Sequence, residues 1–395
     1  MKTIRFGMIG CGQMGREFAS ATARWCHLTQ ASARPVLTAI CNRSLRPEKI
    51  GWFTGNFPSI DLVTEDYREL LASPEVDAVY VAVPHHLHQE IYCAAIRAGK
   101  HLLGEKPMGI DLAANEAILD CMGRHPNVLV RGASQYIFYP AVQRILKMIA
   151  DDAFGRIIEL DSGFLHSSDL DPDKPINWKR LVEYNGLYGV MGDLGVHSAL
   201  VAFRAGWEVL RTTAICSNLV SLRPGAEGWM VPCSTWDNVT MLSRMRDLRA
   251  DHVFPWVLRL DRIMPGEKNS WYLNIYGTKA CARFSLKNPR RLELLFYRGD
   301  EQRWESVDMG FETAYPTITG SIFEFGASDA FMQMMAAFIE ELAHGQPSRS
   351  CASCPTPEEV HGCHCLFNAA LRSNESHIEV SSLKKSRPVE ELAAR

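Results

Sequence analysis

The sequence predicts an α/β protein. An N-terminal domain over residues 1–132 is built on a doubly wound parallel sheet. A second, α+β domain over residues 133–395 holds an antiparallel sheet. Three observations predict this. Apolar strand-like runs alternate with helical segments over the first 130 or so residues. A glycine-rich turn follows the first run at once. Beyond about residue 150, strand-like runs succeed one another with few helices between them.

Taken in order, "TIRFGMIG" is a buried strand, "REFASATARW" has helical spacing, and "PVLTAIC" is a second strand of β-branched and aliphatic residues. "DAVYVAV" is a third, followed by the helical "HQEIYCAAIRAG", then "KHLLGEKP", the helical "DLAANEAILDCMG" and a last strand, "NVLVRG". Strands that read as continuous apolar runs are covered on both faces, as in parallel sheets. The second domain offers "GRIIELDSGFLH", "RTTAICSNLV", "DNVTMLSRM", "FPWVLRLDRI", "SWYLNIYG", "ACARFSL" and "RLELLFY" as strands. Two late helical segments, "SDAFMQMMAAFIEELAHG" and "EEVHGCHCLFNAALRS", either cover that sheet or cross back to the first domain. The charged end "LKKSRPVEELAAR" is expected to fray.

The bulk numbers narrow the function. At 395 residues, with 47% hydrophobic and 22% charged residues, the chain is an ordinary globular protein. A formal charge of -3 gives no general attraction to nucleic acid or an anionic membrane. No apolar run approaches the roughly 18 residues of a membrane span. "MKTIRFGMIGCG" turns to glycines too early for a signal peptide, so the expected location is cytoplasmic. Most of the 12 cysteines sit singly in apolar stretches, as reduced thiols pack in a reducing compartment. Cys351, Cys354, His361, Cys363 and Cys365 cluster, but residues two apart on a helix diverge, and no metal is expected there.

Gly10, Gly12 and Gly15 form a G-x-G-x-x-G between the first strand and the first helix. The first glycine permits the tight turn, the second lets a pyrophosphate approach, and the third lets the helix pack close to the strand. In that context the motif predicts a Rossmann dinucleotide site at a helix N-terminus, with Gln13 and Met14 in its first turn. An acid is expected at the end of the second strand to bind the ribose hydroxyls. Asn42 stands there instead, with Arg43 beside it able to meet a 2′-phosphate, stack on adenine or face solvent. NAD is preferred, with NADP left open.

"GEKPMG" puts Glu105 and Lys106 at the carboxyl edge of the sheet, where ligands bind in such folds. "VPHHLHQE" brings Pro84, His85, His86 and His88 to the same edge, one or two of the histidines lining the nicotinamide pocket and the others capping or packing. In "MGDLGVHSAL", Asp193 and His197 are four apart and share one helix face. Oxidising a secondary alcohol needs a hydride acceptor, a base and a positive group near the oxygen. His197 suits the base, Lys106 the positive group, and Asp193 can hold the His197 ring or bind a neighbouring hydroxyl.

On these residues the chain resembles the Gfo/Idh/MocA family of glucose–fructose oxidoreductases and inositol dehydrogenases. "GMIGCGQMG", "AVPHHLH", "GEKPMG" and "GDLGVH" match in order and spacing across essentially the whole chain. The resemblance implies a Rossmann domain followed by a domain with a large open, mainly antiparallel sheet. It also implies a catalytic group of Lys106, Asp193 and His197, and a homodimer or homotetramer through the second domain's sheet. Two departures stand out. "NGLYGVMGD", with Tyr188 and Met191, replaces a run of glycines, and "HSSDLDPDKPINWKR" is long and polar.

That polar segment supplies His166, Asp169, Asn177, Trp178, Lys179 and Arg180 as substrate-pocket candidates, with Tyr136 and Tyr188 beside them. If Lys179 and Arg180 both face the pocket, an acidic sugar bearing a carboxylate, phosphate or sulfonate fits. The leading expectation is an NAD(P)-dependent dehydrogenase acting on a sugar, glycoside or cyclitol hydroxyl. A second is an NAD-dependent glycosidase that oxidises ring carbon 3 transiently, eliminates the aglycone, hydrates and re-reduces. A third is a non-catalytic NAD(P)-sensing protein.

Overall fold

A computed structural model describes residues 1–299, 301–310, 313–347, 352–376 and 380–381. The first sheet is formed by β1 (Lys2–Ile9), β2 (Ala33–Cys41), β3 (Leu62–Thr64), β4 (Ala78–Val81), β5 (His101–Glu105) and β6 (Val130–Ala133). Its order is β3-β2-β1-β4-β5-β6, and each pair is parallel. The crossovers carry α1 (Gln13–Ala23), α2 (Pro47–Asn56), α3 (Tyr67–Ala72), α4 (His88–Arg97) and α5 (Leu112–Gly123). The order reverses between β1 and β4, so a crevice opens at the carboxyl ends of those strands.

After α6 (Pro140–Ala150) the chain enters a second sheet through β7 (Ile157–His166). The short α7 (Val182–Asn185), a π-helical turn over Met191–Gly195 and α8 (Val196–Arg204) then lead back to strands β8 (Trp207–Ser217), β9 (Leu222–Pro224), β10 (Met230–Pro232), β11 (Asn238–Asp247), β12 (His252–Asp261), β13 (Lys268–Gly277), β14 (Ala280–Ser285), β15 (Arg291–Phe296) and β16 (Glu305–Asp308). β9 and β10 pair only with each other. The rest, joined at one edge by β17 (Val380–Ser381), form a nine-stranded sheet in the order β16-β15-β14-β13-β7-β12-β11-β8-β17. Its pairings are antiparallel except between β7 and β12.

Alternation along β11 explains why one face is covered and the other open. Val239, Met241, Ser243 and Met245 point inward, whereas Thr240, Leu242 and Arg244 face solvent. The covered face holds α8. The late helix α9 (Ala327–His344) leaves this sheet and packs on the first one, where Phe338 lies 6.2 Å from Phe6 and Phe331 lies 6.1 Å from Tyr80. α10 (Pro357–Ser376) lies against α5, α8 and β8. The late helical segments thus do both things the sequence left open. No helix among the described residues is long and apolar enough to cross a membrane.

The D-x-x-x-H segment is not regular α-helix, because Asp193 lies in the π-helical turn and His197 in the first turn of α8. Its glycine is there for packing. A Cβ at Gly195 would press to 2.7 Å from the Phe367 ring and 2.9 Å from Leu260. Only hydrogen at that position lets α10 and β12 close on the turn.

Candidate active site

A cleft of about 950 Å³ runs from the glycine-rich turn along the carboxyl edge of the parallel sheet to the inner face of the large sheet. At its outer end Gly10 has φ +103°, and a Cβ there would overlap the Ala82 carbonyl. Gly12 has open space in front of it. α1 begins with no side-chain cap and no acidic residue in its first turn. Its leading N–H groups and positive dipole end therefore suit a phosphate. These features fit a dinucleotide. Asn42 braces the turn: its Oδ1 accepts from the Cys11 N–H at 3.2 Å and its Nδ2 donates to the Ser44 carbonyl at 2.7 Å.

At the inner end, four charged side chains from four parts of the chain meet. Lys106 follows β5, and its Nζ donates to Asp193 Oδ1 at 2.9 Å and to the Asp193 carbonyl at 2.6 Å. Lys179, on the 3-10 turn Trp178–Arg180, reaches Asp193 Oδ2 at 3.1 Å. Arg262, just past β12, donates to the same Oδ2. Burial alone would raise the Asp193 carboxyl, but Arg262, Lys106 and Lys179 outweigh it and hold the group well below the usual carboxylate range. Two unit charges about 5 Å apart repel by roughly 3 kcal/mol at an effective dielectric near 20. One carboxylate therefore holds together three groups that would otherwise separate.

His197 lines the same end. Its Nδ1 lies 2.7 Å from Ser134 Oγ, and its ring is walled by Tyr136 at 4.7 Å and Phe164 at 6.0 Å. Burial, then Lys106, pushes its pKa well below the ordinary histidine value. The ring is thus neutral near neutral pH, and with Nδ1 engaged by Ser134 its Nε2 is left to take a proton. Lys106 is fixed from behind. Tyr80 donates to the Glu105 carboxylate at 2.6 Å, Tyr92 donates to the Glu105 carbonyl at 2.5 Å, and Pro107, joined to Lys106 by a cis peptide bond, accepts from His364 Nε2 at 2.5 Å.

Residues 4–132 match the family model described as an oxidoreductase family with an NAD-binding Rossmann fold. A levoglucosan dehydrogenase of Pseudarthrobacter phenanthrenivorans is 27% identical over 340 residues, covering 82% of this chain and 83% of that protein. Residues 4–132 thus match the Gfo/Idh/MocA family. A 1,5-anhydro-D-fructose reductase of Ensifer adhaerens is 32% identical over 197 residues, 49% of this chain and 54% of that one. Among solved structures, levoglucosan dehydrogenase with NADH and L-sorbose superposes with TM-score 0.83 at 24% identity over 98% of this chain and all of the other. An oxidoreductase domain protein from Kribbella flavida gives 0.87 at 22% identity over 97% of this chain and all of that one. These likenesses establish the shared fold, and the first domain is an NAD-binding Rossmann domain.

Of the residues read from sequence, Gly10, Gly12, Gln13, Met14, Asn42, Arg43, Pro84, His85, Glu105, Lys106, Tyr136, His166, Trp178, Lys179, Asp193 and His197 all line the cleft. Gly15 lies beneath the turn, where a Cβ would overlap the Gly10 carbonyl. Four expectations need correction. His88 does not reach the cleft; it is buried, bonded to the Val83 carbonyl at 3.0 Å and stacked 4.8 Å from Tyr92, while His85 and His86 line the pocket. Arg180 points away into the protein, fully buried against Asp237 at 3.5 Å and Asn218 at 3.1 Å. Tyr188 packs between His364 and Phe367 and donates to the His364 carbonyl at 3.3 Å. Asp193 does not hold the His197 ring; Ser134 does.

Asp169 is buried behind Arg262, and Asn177 caps the turn that carries Lys179. Among the described cysteines, Cys354 donates to the Met334 carbonyl and Cys365 lies 3.5 Å from His361 Nε2, while Cys351 lies outside the described residues. Arg262, Ser134, Glu65, Tyr184 and Asn269 were not found from sequence. Ser134 and Glu65 carried a local signal, since they directly follow β6 and β3 at the carboxyl edge where ligands bind.

Proposed function

We propose that the chain is a Gfo/Idh/MocA oxidoreductase and oxidises a secondary hydroxyl of a sugar, glycoside or cyclitol. The observation that carries the reading is the meeting of Lys106, Asp193 and His197 at the inner end of a cleft that begins at the glycine turn. Gly10, Gly12, Gln13, Met14 and Asn42 would hold NAD, which would supply the hydride acceptor. The remaining steps are this chain's own. The Lys106 ammonium binds the substrate hydroxyl and stabilises negative charge on its oxygen as the proton leaves. His197 Nε2 accepts that proton, and Ser134 keeps the ring aimed. Asp193 keeps Lys106 in place. Trp178, edge-on to His85 at 5.0 Å, and Tyr136 offer apolar surfaces for a sugar ring. The sugar substrates named for the levoglucosan and anhydrofructose enzymes support the same class.

The experiment is a panel of sugars, glycosides and cyclitols given to the purified protein with NAD and NADP in parallel, reading reduced nicotinamide and released aglycone. The reading expects reduced nicotinamide in step with sugar oxidised, with NAD preferred. Aglycone released in large excess over reduced nicotinamide would instead identify a hydrolase. We further propose a homodimer or homotetramer through the open face of the large sheet, where Ile158, Ile215, Leu242 and Val253 are exposed. Light scattering of the purified protein tests this; a monomer at micromolar concentration contradicts it.

A further inference from the structure

Resting on that reading of the site, we propose that Lys179 and Arg262 form a subsite for an anionic substituent, so that the sugar accepted here carries a carboxylate, phosphate or sulfonate. Three cations converge on Asp193, and Lys106 alone takes both its Oδ1 and its carbonyl. Lys179 and Arg262 share the one remaining oxygen. Two further carboxylates lie nearby. Asp169 has its own partner in Lys174 at 2.8 Å and stands 3.7 Å from Arg262, and Glu105, beside Lys106, accepts from Tyr80. Lys106, Lys174, Lys179 and Arg262 still outnumber the three carboxylates. The cleft end therefore carries more positive charge than its carboxylates balance. A neutral sugar needs hydrogen-bonding partners but no net charge.

Both cations are built in. Arg262 lines the cleft with a side chain only 5% exposed, and its planar fork has more N–H donors than its two carboxylate contacts engage. The Lys179 backbone is clamped on both sides. Its N–H donates to Asn177 Oδ1 at 3.0 Å, and its carbonyl accepts from Asn185 Nδ2 at 2.9 Å and Thr235 Oγ1 at 3.0 Å. Its side chain is 36% exposed, so an incoming anion can reach it. The neighbours register the field. Burial and then Arg262 push His166 down to about 4, and Lys179 itself is lowered by burial, Arg262 and Lys106 despite Asp193. The dinucleotide's phosphates have their own place at the N-terminus of α1, at the opposite end of the cleft.

The test compares glucose with glucuronate, glucose 6-phosphate and 6-deoxy-6-sulfoglucose, and the methyl glycosides of each, by NAD reduction and by calorimetric titration of the NADH-loaded protein. At least one anionic sugar is expected to exceed its neutral parent in kcat/KM by about tenfold or more, as a charge-assisted pair contributes. The anion preferred identifies the substituent. In Lys179→Gln and Arg262→Gln that ratio is expected to fall toward one, while Lys179→Arg keeps it. Because the ratio is taken on a single preparation, it does not depend on the fraction folded. A wild-type ratio near one, or a ratio that survives in both glutamine variants, overturns the subsite while oxidation of neutral sugars leaves the oxidoreductase reading standing. Calorimetric binding of an anionic sugar that Lys179→Gln abolishes, with no reduction of NAD by any sugar, upholds the subsite and overturns that reading.

Discussion

Ser134 Oγ stands 2.7 Å from His197 Nδ1, so the imidazole is aimed by a hydroxyl. For Nε2 to accept a proton, Nδ1 must carry hydrogen and donate to Ser134. Ser134→Ala removes that acceptor and frees the tautomer. A fall in kcat of about 10- to 100-fold is expected, within the range of a positioned general base, with KM changed far less. A kcat within twofold of wild type would show that the ring needs no such aim.

The buried imidazoles make stability fall in acid. Burial is the first cause lowering His85, His88, His166, His197 and His364, to about 3 for His88 and about 4 for His166 and His364. The folded state keeps these rings neutral, whereas the unfolded chain binds protons from about pH 6.5 downward. Stability is therefore full above about pH 6.5 and is lost as pH falls toward each folded-state value, at up to about 1.4 kcal/mol per pH unit for each ring. Urea midpoints measured from about pH 7.5 to about pH 5 are expected to drop steeply below the histidine range. A flat profile there contradicts the burial.

Asp193 is the shared counter-ion of three cations, so its loss has two consequences. Asp193→Asn leaves Lys106, Lys179 and Arg262 to repel one another in a buried site. A loss of about 3 kcal/mol in unfolding free energy is expected, as for breaking a buried pair. kcat/KM is expected to fall by at least about 100-fold, because Lys106 is no longer held for the substrate oxygen. Denaturant unfolding and steady-state kinetics on one preparation read both.

Glu65 follows β3 and lines the ribose end of the cleft together with Arg43, accepting from the Leu45 N–H at 3.3 Å. A 2′-phosphate there meets Glu65 repulsion and Arg43 attraction together. Glu65→Gln is therefore expected to raise kcat/KM for NADP relative to NAD by about tenfold, equivalent to roughly 1.4 kcal/mol. An unchanged ratio would place the selectivity elsewhere.

Much of this was legible in the chain. The apolar runs of β1, β4 and β5 announce a sheet buried on both faces, and the succession of strand-like runs beyond residue 150 announces a second, antiparallel one. Glycine spacing marks the outer end of the cleft because turn geometry is local. The inner end is assembled from distant parts, which sequence spacing does not encode. Arg262 comes 69 positions after Asp193, at a strand end whose place is set by the pairing of β12 with β7 and β11. Arg180 shows the opposite limit. It adjoins Lys179, but on a 3-10 turn successive side chains point about 120° apart, so one enters the cleft and the other the core. The four-residue spacing of Asp193 and His197 suggests a shared α-helical face, yet the π-helical turn directs Asp193 to three cations and leaves His197 to Ser134.

The central claim is that a sugar hydroxyl sits between Lys106 and His197 and that its carbon gives up hydride to the bound nicotinamide. Mass spectrometry of the nicotinamide formed from NAD and a ring-deuterated sugar tests it most directly. The account predicts one deuterium per nicotinamide reduced, at a rate lowered about 1,000-fold or more in Lys106→Met. Unlabelled reduced nicotinamide from every deuterated ring position, or a wild-type rate in Lys106→Met, would contradict it.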